Sequence, residues 1–294
     1  MLCIQLGDRV VILFDLGHPS TSTGGHLNSL SRNHLHHQTT QYKMPPSGPP
    51  TEQEIWKIAR RTTGLIEYNL TSNVCLFGSA ASALWADIGR VPNVRRYHSH
   101  FIYLFLFRLN KAAQDIDIVV SEGYGDEFDS ECIKKSIVRA DDRYYLERSR
   151  RREATYNILY CRLAGWTTDE TRRVKIDILV PPSDLNLPEI SADERDHINY
   201  IPVMPIFDLL VMKTQGWWDH STSNRADFRA KERADVSDIF ALLDRAKQEN
   251  VSYIDEANED RHPPGFMNHA YGLANEFVND YGRPGRWRAL GFPM

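Results

Sequence analysis

Three aspartates in apolar surroundings are the residues of this sequence best suited to chemistry. Asp115 and Asp117 alternate with Ile116 and Ile118 in the segment DIDIVV, and Asp177 lies between isoleucines in RVKIDILV. Residues two apart on a β-strand point to the same face, so Asp115 and Asp117 project together while the isoleucines enter the core. Carboxylates this close repel one another unless a cation neutralises them. The pattern predicts a metal site, provided that a neighbouring strand places Asp177 beside the pair.

The chemistry of such a site is that of phosphate transfer. Mg²⁺ prefers carboxylate and water oxygens and is often completed by substrate phosphates. Two ions on three carboxylates activate an attacking oxygen and stabilise the leaving phosphate in an in-line displacement. We therefore expect two Mg²⁺ ions, with Mn²⁺ as a substitute, at Asp115, Asp117 and Asp177. The competing interpretation is plain surface charge, but an unpaired charge inside an apolar strand is costly, which favours the site.

A Gly-Ser pair precedes the aspartates along the chain. The short apolar stretch NVCLF, residues 73–77, runs into Gly78-Ser79 and then into the alanine-rich AASALWADIG, which reads as a helix. Glycine lets backbone N–H groups approach a phosphate, and the dipole of the following helix favours an anion. The pair alone is a weak signal. Its position ahead of the aspartate strand leads us to expect a phosphate-binding turn at Gly78 and Ser79.

The remaining elements must position these residues. Thr51-Glu52-Gln53-Glu54 matches a capping box and predicts a helix from about 52 to 68. Runs rich in β-branched and aromatic residues predict strands at 143–148, 154–163 and 173–180, beside the strand at 115–120. Helical periodicity predicts a helix at 126–140, with Phe128, Cys132, Ile133 and Ile137 inward, and a helix-only region after residue 200 with helices at 205–218, 225–248 and 264–282. The predicted fold class is α+β, a mixed β-sheet with flanking helices followed by a helical C-terminal region.

Composition excludes several classes of protein. The chain has 294 residues, 41% of them hydrophobic and 25% charged, with a net charge of −4, so no overall basic excess indicates a stable nucleic-acid partner. The four cysteines are scattered without a CxxC pair, which argues against a zinc site or a disulfide framework. The longest apolar run, 101–107, is far shorter than the roughly 20 residues that span a bilayer. We expect no membrane partner and a cytoplasmic protein, with the nucleus as the alternative.

We divide the chain into three parts. The first part is 1–50, which we expect to be disordered or mispredicted. Its stretch 18–50 is rich in Ser, Thr, His, Asn, Gly and Pro and has too little apolar surface to form a core. Met44 is an alternative start of the chain. The histidines there lack accompanying carboxylates or cysteines at a fixed spacing, so a solvated tail is favoured over metal binding. Residues 51–183 form the predicted catalytic core, and 184–294 the predicted helical C-terminal region.

The ordered combination of a Gly-Ser turn, an Asp-x-Asp strand and a third Asp on a later strand resembles the nucleotidyltransferase fold superfamily, the polymerase-beta-like group. The resemblance spans 52–245 and is strongest to small proteins related to the nucleotidyltransferase (AbiEii-like) toxins of bacterial toxin–antitoxin systems. Their helical tails carry Leu-x-x-x-Lys and Arg/Lys-x-x-Asp-x-x-Asp elements, matched here by Leu209 to Lys213 and by 231–238. The resemblance implies a nucleotidyltransferase-type mixed sheet and Mg²⁺-dependent transfer of a nucleoside monophosphate from an NTP to a hydroxyl, releasing pyrophosphate.

The resemblance also implies roles for single residues. Gly78 and Ser79 would hold the triphosphate, Asp115 and Asp117 would bind both ions, and Asp177 would complete the site and help deprotonate the acceptor hydroxyl. Lys213 would reach the phosphates; the alternative is a solvated helix lysine. The acceptor stays open between tRNA, a protein and a small molecule. The competing function is a non-catalytic nucleotide-binding or interaction protein that keeps the fold.

Other polar and aromatic residues of the tail favour structural roles. Asp235 and Asp238 lie three apart on one helix face, and we expect them to pair with Lys231, Arg225 or Arg229. The pair Trp217-Trp218 is expected in the core rather than against a base. The basic run 148–152 falls between two predicted strands and is interpreted as a solvated turn, with a phosphate-contacting loop for an RNA acceptor as the alternative.

Residues 94–114 interrupt the expected path into the Asp-x-Asp strand. In the resembling proteins the alanine-rich helix reaches that strand within a few residues, and deleting 94–114 restores this form. Val codons begin with GT and one Gln codon is CAG, so a segment from Val94 to Gln114 has the ends of an in-frame intron. We interpret it as a retained intron, of a length typical of fungi, and hence the chain as a fungal member; the alternative is a real surface loop. Its run FIYLFLF has no alternation, and we expect it to be poorly ordered.

Overall fold

The computed structural model describes residues 2–6, 9–13, 50–88, 115–121, 129–150, 154–163, 172–181, 187–257, 262 and 264–294. Packing divides the chain into two units, Met1–Met44 and Pro45–Met294. In the first unit, strands β1 (Leu2–Leu6) and β2 (Arg9–Leu13) pair in antiparallel orientation. Within 1–50, where disorder or misprediction was expected, the structure describes these two strands and residue 50. The rest of that segment and the poorly ordered retained intron expected at 94–114 lie outside the described residues.

A mixed β-sheet organises the second unit. Its strands are β3 (Val74–Phe77), β4 (Asp115–Val120), β5 (Tyr144–Arg148), β6 (Asn157–Arg162), β7 (Arg173–Leu179), β8 (Asp196–Ile198) and β9 (Ile201–Val203). The seven strands follow the order β5-β6-β7-β4-β3-β9-β8. Strands β4 and β7 are parallel, as are β3 and β9, and the other neighbours are antiparallel. The strand predicted at 115–120 is confirmed with the same bounds. Those predicted at 73–77, 143–148, 154–163 and 173–180 are confirmed with shorter ends.

One face of the sheet is apolar and covered by helices. Alternate residues of β4 and β7, including Ile116 and Ile176, are fully buried. Helix α1 (Glu52–Asn69) packs against β3, β4 and β9, and helix α3 (Ser130–Ala140) packs against β5 and β7. The capping box at the start of α1 is confirmed, because the Thr51 hydroxyl accepts a hydrogen bond from the Glu54 amide and the Glu54 carboxylate accepts one from the Thr51 amide.

A helical layer packs beside the sheet. Its long helices are α2 (Gly78–Ile88), α4 (Ile206–Thr222), α6 (Glu232–Gln248) and α8 (Phe266–Tyr281), and its short ones are α5 (Ala226–Arg229), α7 (Tyr253–Ala257) and α9 (Pro284–Arg288). Helix α2 packs against β4, α4 and α6, and its Trp85 indole donates to the carbonyl of Met204 at 3.1 Å. Trp217 is fully buried with its ring 5.0 Å from that of Phe277, which confirms the predicted core position.

The structure corrects three details of the sequence prediction. Cys132 is exposed rather than inward, and Lys134 is buried on α3 beside Ile133 and Ile137, which are buried as predicted. Phe128, also predicted to point inward, lies outside the described residues. The helix predicted over 225–248 is broken into α5 and α6, since α5 buries no side chain and a tight turn ends it near residue 230. The region after residue 200 is not helical throughout, because β9 extends the sheet by pairing with β3.

The sheet and the helical layer belong to one compact unit. Strands β8 and β9 lie after residue 183, so the predicted C-terminal region contributes two strands as well as helices to the unit that contains the core. Among the described helices, none is long and apolar enough to cross a membrane.

Candidate active site

The parallel pairing of β4 with β7 brings the three aspartates onto one face of the sheet. Asp117 lies opposite Asp177, and Asp115 lies opposite Lys175. This is the face turned away from the buried isoleucines of both strands. The side chains of Asp115 and Asp177 are 51% and 38% exposed, so solutes can approach them. The neighbouring strand that the sequence analysis required for Asp177 is therefore present.

A lysine that sequence reasoning missed sits among these carboxylates. The Lys175 ammonium pairs with Asp177, and its Nζ lies 3.7 Å from Oδ2 of Asp115. Lys175 shares the aspartate face because it is two residues before Asp177 on the same strand. The alternation of buried and polar residues in RVKIDIL was therefore the sequence pattern that could have predicted its position. Burial alone would lower the pKa of Lys175, but the hydrogen bond to Asp177 and the three carboxylate charges raise it.

Burial and neighbouring negative charge raise the pKa of two of the aspartates, Asp117 and Asp115. Burial, followed by the charges of Asp177 and Asp115, raises the pKa of Asp117 to about 7. Burial and the charge of Asp177 also raise the pKa of Asp115, while Lys175 and Lys231 oppose the shift. A carboxyl group that holds its proton near neutral pH is one that a cation would stabilise in the ionised form.

The Gly78 turn closes directly onto Asp117. Gly78 has a φ of +65° at the end of β3, where helix α2 begins. A Cβ built there would overlap the Asp117 carboxylate and lie 3.1 Å from its Cγ. Only glycine combines this left-handed backbone with so close an approach. The first turn of α2, with Ser79 next in the chain, is thereby placed beside the aspartates, where its backbone N–H groups have no partner within the helix.

Comparison with known proteins supplies one match. No protein-family model and no curated protein matches the sequence. The chain is similar to the crystal structure of an antigenic nucleotidyltransferase-like protein from Paracoccidioides brasiliensis, with a TM-score of 0.50 and 15% identity. The match covers 84% of this chain and 96% of that chain. The fold is nucleotidyltransferase-like. This confirms the predicted fold class.

In the nucleotidyltransferase-like fold of this chain, helix α4 brings Lys213 to the Gly-Ser turn. Its Nζ donates to the Ser79 hydroxyl at 3.3 Å and pairs with Asp238 at 2.9 Å and Asp235 at 3.2 Å. Lys213 is buried, so the alternative of a solvated helix lysine is wrong. Burial alone would lower the pKa of Lys213, but the charges of Asp238 and Asp235 raise it, so the ammonium stays charged.

The partners of Asp235 differ from those expected. Asp235 and Asp238 were predicted to pair with Lys231, Arg225 or Arg229. In the structure both form ion pairs with Lys213. Asp235 also accepts a hydrogen bond from Nδ1 of His220 at 2.6 Å. The partners differ because of tertiary packing. Helices α4 and α6 pack against each other, and this packing brings Lys213 and His220 to α6. No local pattern in the sequence indicated that His220 would contact Asp235.

Lys213→Met is expected to lower the free energy of unfolding by about 3 kcal/mol, because it leaves Asp235 and Asp238 without their buried counter-charge. Urea unfolding followed by circular dichroism measures the loss. Lys247→Met is the matched control, since Lys247 is exposed on α6, the helix that carries Asp235 and Asp238, and its change should stay within about 0.5 kcal/mol. Equal losses in the two variants would show that the buried network contributes no special stability.

The aspartates suit Mg²⁺ in type and in placement, since all three are carboxylates on one partly exposed face. As the side chains lie, however, no three His, Cys, Asp or Glu groups within the described ranges are close enough to share one ion. Lys175 pairs with two of the three carboxylates instead. A divalent cation at this face would require Lys175 to withdraw and the aspartate side chains to rotate.

Beyond Lys175 the same face continues as a row of arginine and tyrosine side chains. Arg173 lies over the ring of Tyr160 at 4.1 Å, Tyr160 stacks on Tyr145 at 5.7 Å, and Arg162 lies over Tyr145 at 4.2 Å. Arg173 also pairs with Glu147 at 2.7 Å. These cations have partners of their own, so among the described side chains Lys175 is the cation paired with the aspartates.

Proposed function

We propose that this protein transfers a nucleoside monophosphate from an NTP to a hydroxyl acceptor, with Asp115, Asp117 and Asp177 holding two Mg²⁺ ions. The register that sets Asp117 opposite Asp177 carries the proposal. It places three carboxylates on one face at the start of helix α2, beside the Gly78 turn. Negative charge of this density has a chemical use at a site that binds divalent cations and phosphates.

The chain's own residues would divide the work of binding. The first-turn N–H groups of α2 and the Ser79 hydroxyl would hold the triphosphate at the positive end of the helix dipole. Lys213, kept charged by Asp235 and Asp238, would add a fixed cation at the same turn. Bound Mg²⁺ would supply Lewis-acid polarisation of the phosphate and of the attacking hydroxyl.

The transfer step balances without any further reactant. The acceptor oxygen forms a bond to the α-phosphorus, and the bond from that phosphorus to its bridging oxygen breaks. Pyrophosphate leaves with the electron pair, and the hydroxyl proton passes to Asp177. Asp177 suits this role because its side chain is 38% exposed, so an acceptor can reach it. Asp177 must first lose its ion pair with Lys175, because the ammonium occupies the carboxylate that would take the proton.

The proposal is tested by incubating the protein with the four α-labelled NTPs, Mg²⁺ and either cellular RNA, a protein extract or small hydroxyl compounds. We expect label to be transferred to one acceptor class and to require Mg²⁺. Asp115→Ala with Asp117→Ala should abolish transfer, whereas Asp280→Ala, a change at an exposed carboxylate on α8, should leave it unchanged. Transfer that survives the double substitution would refute the proposed site.

A non-catalytic nucleotide-binding or interaction protein is the second candidate. The observation that favours it is the position of Lys175, which already pairs with two of the three carboxylates. NTP binding by calorimetry without transfer to any acceptor would support it. The enzyme remains our proposal because all three aspartates are present on the same face of the sheet.

Within the superfamily, we propose kinship with the small toxin-like nucleotidyltransferases. Support comes from the tail motif, since Lys213, Asp235 and Asp238 are brought into one ion-pair network from separate helices. A fungal source and a cytoplasmic or nuclear location stay hypotheses, resting on the intron-like ends of 94–114 and on the scattered cysteines.

A further inference from the structure

We propose that Lys175 is a displaceable counter-ion, which holds the aspartates together without metal and must leave them when a divalent cation binds. The inference rests on the proposed function, since it concerns the same carboxylates. It assigns Lys175 a positioning role that weakens metal binding to the free protein.

The contacts of Lys175 carry this inference. Its ammonium is paired with Asp177 and lies 3.7 Å from Oδ2 of Asp115, so one cation bridges two adjacent strands. The parallel register sets Lys175 opposite Asp115. The Cα of Lys175 is therefore held beside the carboxylates by the strand pairing. Lys175 therefore occupies space between the oxygen atoms that a metal ion would need.

A metal ion and the ammonium compete for the same oxygen atoms. Carboxylate oxygens that bind a divalent cation lose most of their attraction for a nearby ammonium, and the two positive charges repel. Lysine is suited to leaving, because its charge sits on a flexible four-carbon stem. The Lys175 side chain is 29% exposed, so it can reach solvent on the same face without unfolding the strand.

The neighbouring Arg173 provides the matched comparison. It lies two residues earlier on the same face of β7, but it pairs with Glu147 and donates to the Tyr145 hydroxyl at 3.2 Å. Among the described contacts, none joins Arg173 to the three aspartates. Removing its charge changes the same strand face without freeing the carboxylates.

The test measures Mn²⁺ binding to the full chain by the electron paramagnetic resonance signal of free Mn²⁺, without nucleotide. Lys175→Met is expected to tighten Mn²⁺ binding about five- to tenfold, the order that two partly exposed ion pairs contribute. Lys175→Arg should stay within about twofold of the wild type, because it keeps the charge, and Arg173→Met should do the same. Adding Asp117→Asn to Lys175→Met should remove the gained affinity, which assigns it to this site.

The outcomes separate this inference from the proposed function. Mn²⁺ binding that is equal in the wild type and in Lys175→Met, and is lost in Asp117→Asn, would keep the metal site and overturn the role of Lys175. Weaker binding in Lys175→Met would also overturn it. Absence of Asp117-dependent Mn²⁺ binding in every variant would overturn the metal site and the inference together. Unfolding in the presence of EDTA provides a second readout, in which Lys175→Met should melt at a lower temperature than the wild type; an equal or higher melting temperature would contradict the role of Lys175 in holding the aspartates together.

Discussion

Gly78→Ala is expected to lower the rate of nucleotide transfer at least about a hundredfold, the size of effect that an ångström-scale misplacement of catalytic groups produces. The new methyl group would overlap the Asp117 carboxylate, and the φ of +65° disfavours any side chain at this position. Either Asp117 or the first turn of α2 must shift. Initial rates of label transfer at saturating NTP measure the loss.

A control on glycine substitution itself is available in the same chain. Gly64 lies in helix α1, where an added Cβ would meet no atom within 4 Å. Gly64→Ala is therefore expected to keep full activity and to raise the free energy of unfolding by about 0.5–1 kcal/mol. If Gly78→Ala transferred label as fast as Gly64→Ala, the close approach of Gly78 to Asp117 would have no part in the reaction.

Asp117→Asn is expected to abolish transfer and yet to stabilise the metal-free protein at pH 8. The pKa of Asp117 in the folded protein, about 7, lies above the ordinary value of 3.8, so folding favours the protonated form. Its stabilising contribution is fully present below the ordinary pKa and is lost as the pH rises through about 7. Asparagine carries no charge to lose, so the variant should be more stable at pH 8 by on the order of 1–3 kcal/mol.

The measurement is urea unfolding in EDTA at pH 5 and at pH 8. The wild type should lose more stability between the two values than Asp117→Asn, and Asp280→Asn, at an exposed position, should follow the wild type. A variant that loses as much stability as the wild type would show that Asp117 is ionised throughout this range. A gain in stability together with a loss of activity is typical of residues kept for function rather than for folding.

The strand faces on which the side chains of the candidate site lie could be predicted from the sequence, because they depend on short-range periodicity. Alternation in DIDIVV and RVKIDILV places the aspartates on polar faces, and the Gly-Ser pair marks the start of α2. The same alternation also contained Lys175, which shares the face of Asp177. Its contact with Asp115 could not be predicted from this alternation, because it depends on the pairing of β7 with β4.

The contacts of the candidate site that join separate helices could not be predicted from periodicity. The partners of Asp235 and Asp238 depend on how α4 packs against α6, and a single sequence has no local pattern that reports helix packing. The partners predicted for the two aspartates were cations close to them in sequence, Lys231, Arg225 or Arg229. In the structure both aspartates form ion pairs with Lys213, which lies on another helix. Strand β9 was missed for a similar reason, because three residues are too few for a periodic signal.

The parallel register of β4 and β7 has a consequence for synthesis of the protein. Asp117 emerges from the ribosome long before Asp177, and a parallel pair needs a long crossover connection between its strands. Contacts between residues so far apart form slowly, after the loop between them has closed. A nascent chain that ends before Arg173 has two of the three carboxylates and neither Lys175 nor Lys213. The growing polypeptide therefore lacks the full set of three aspartates until at least residue 177 has been made.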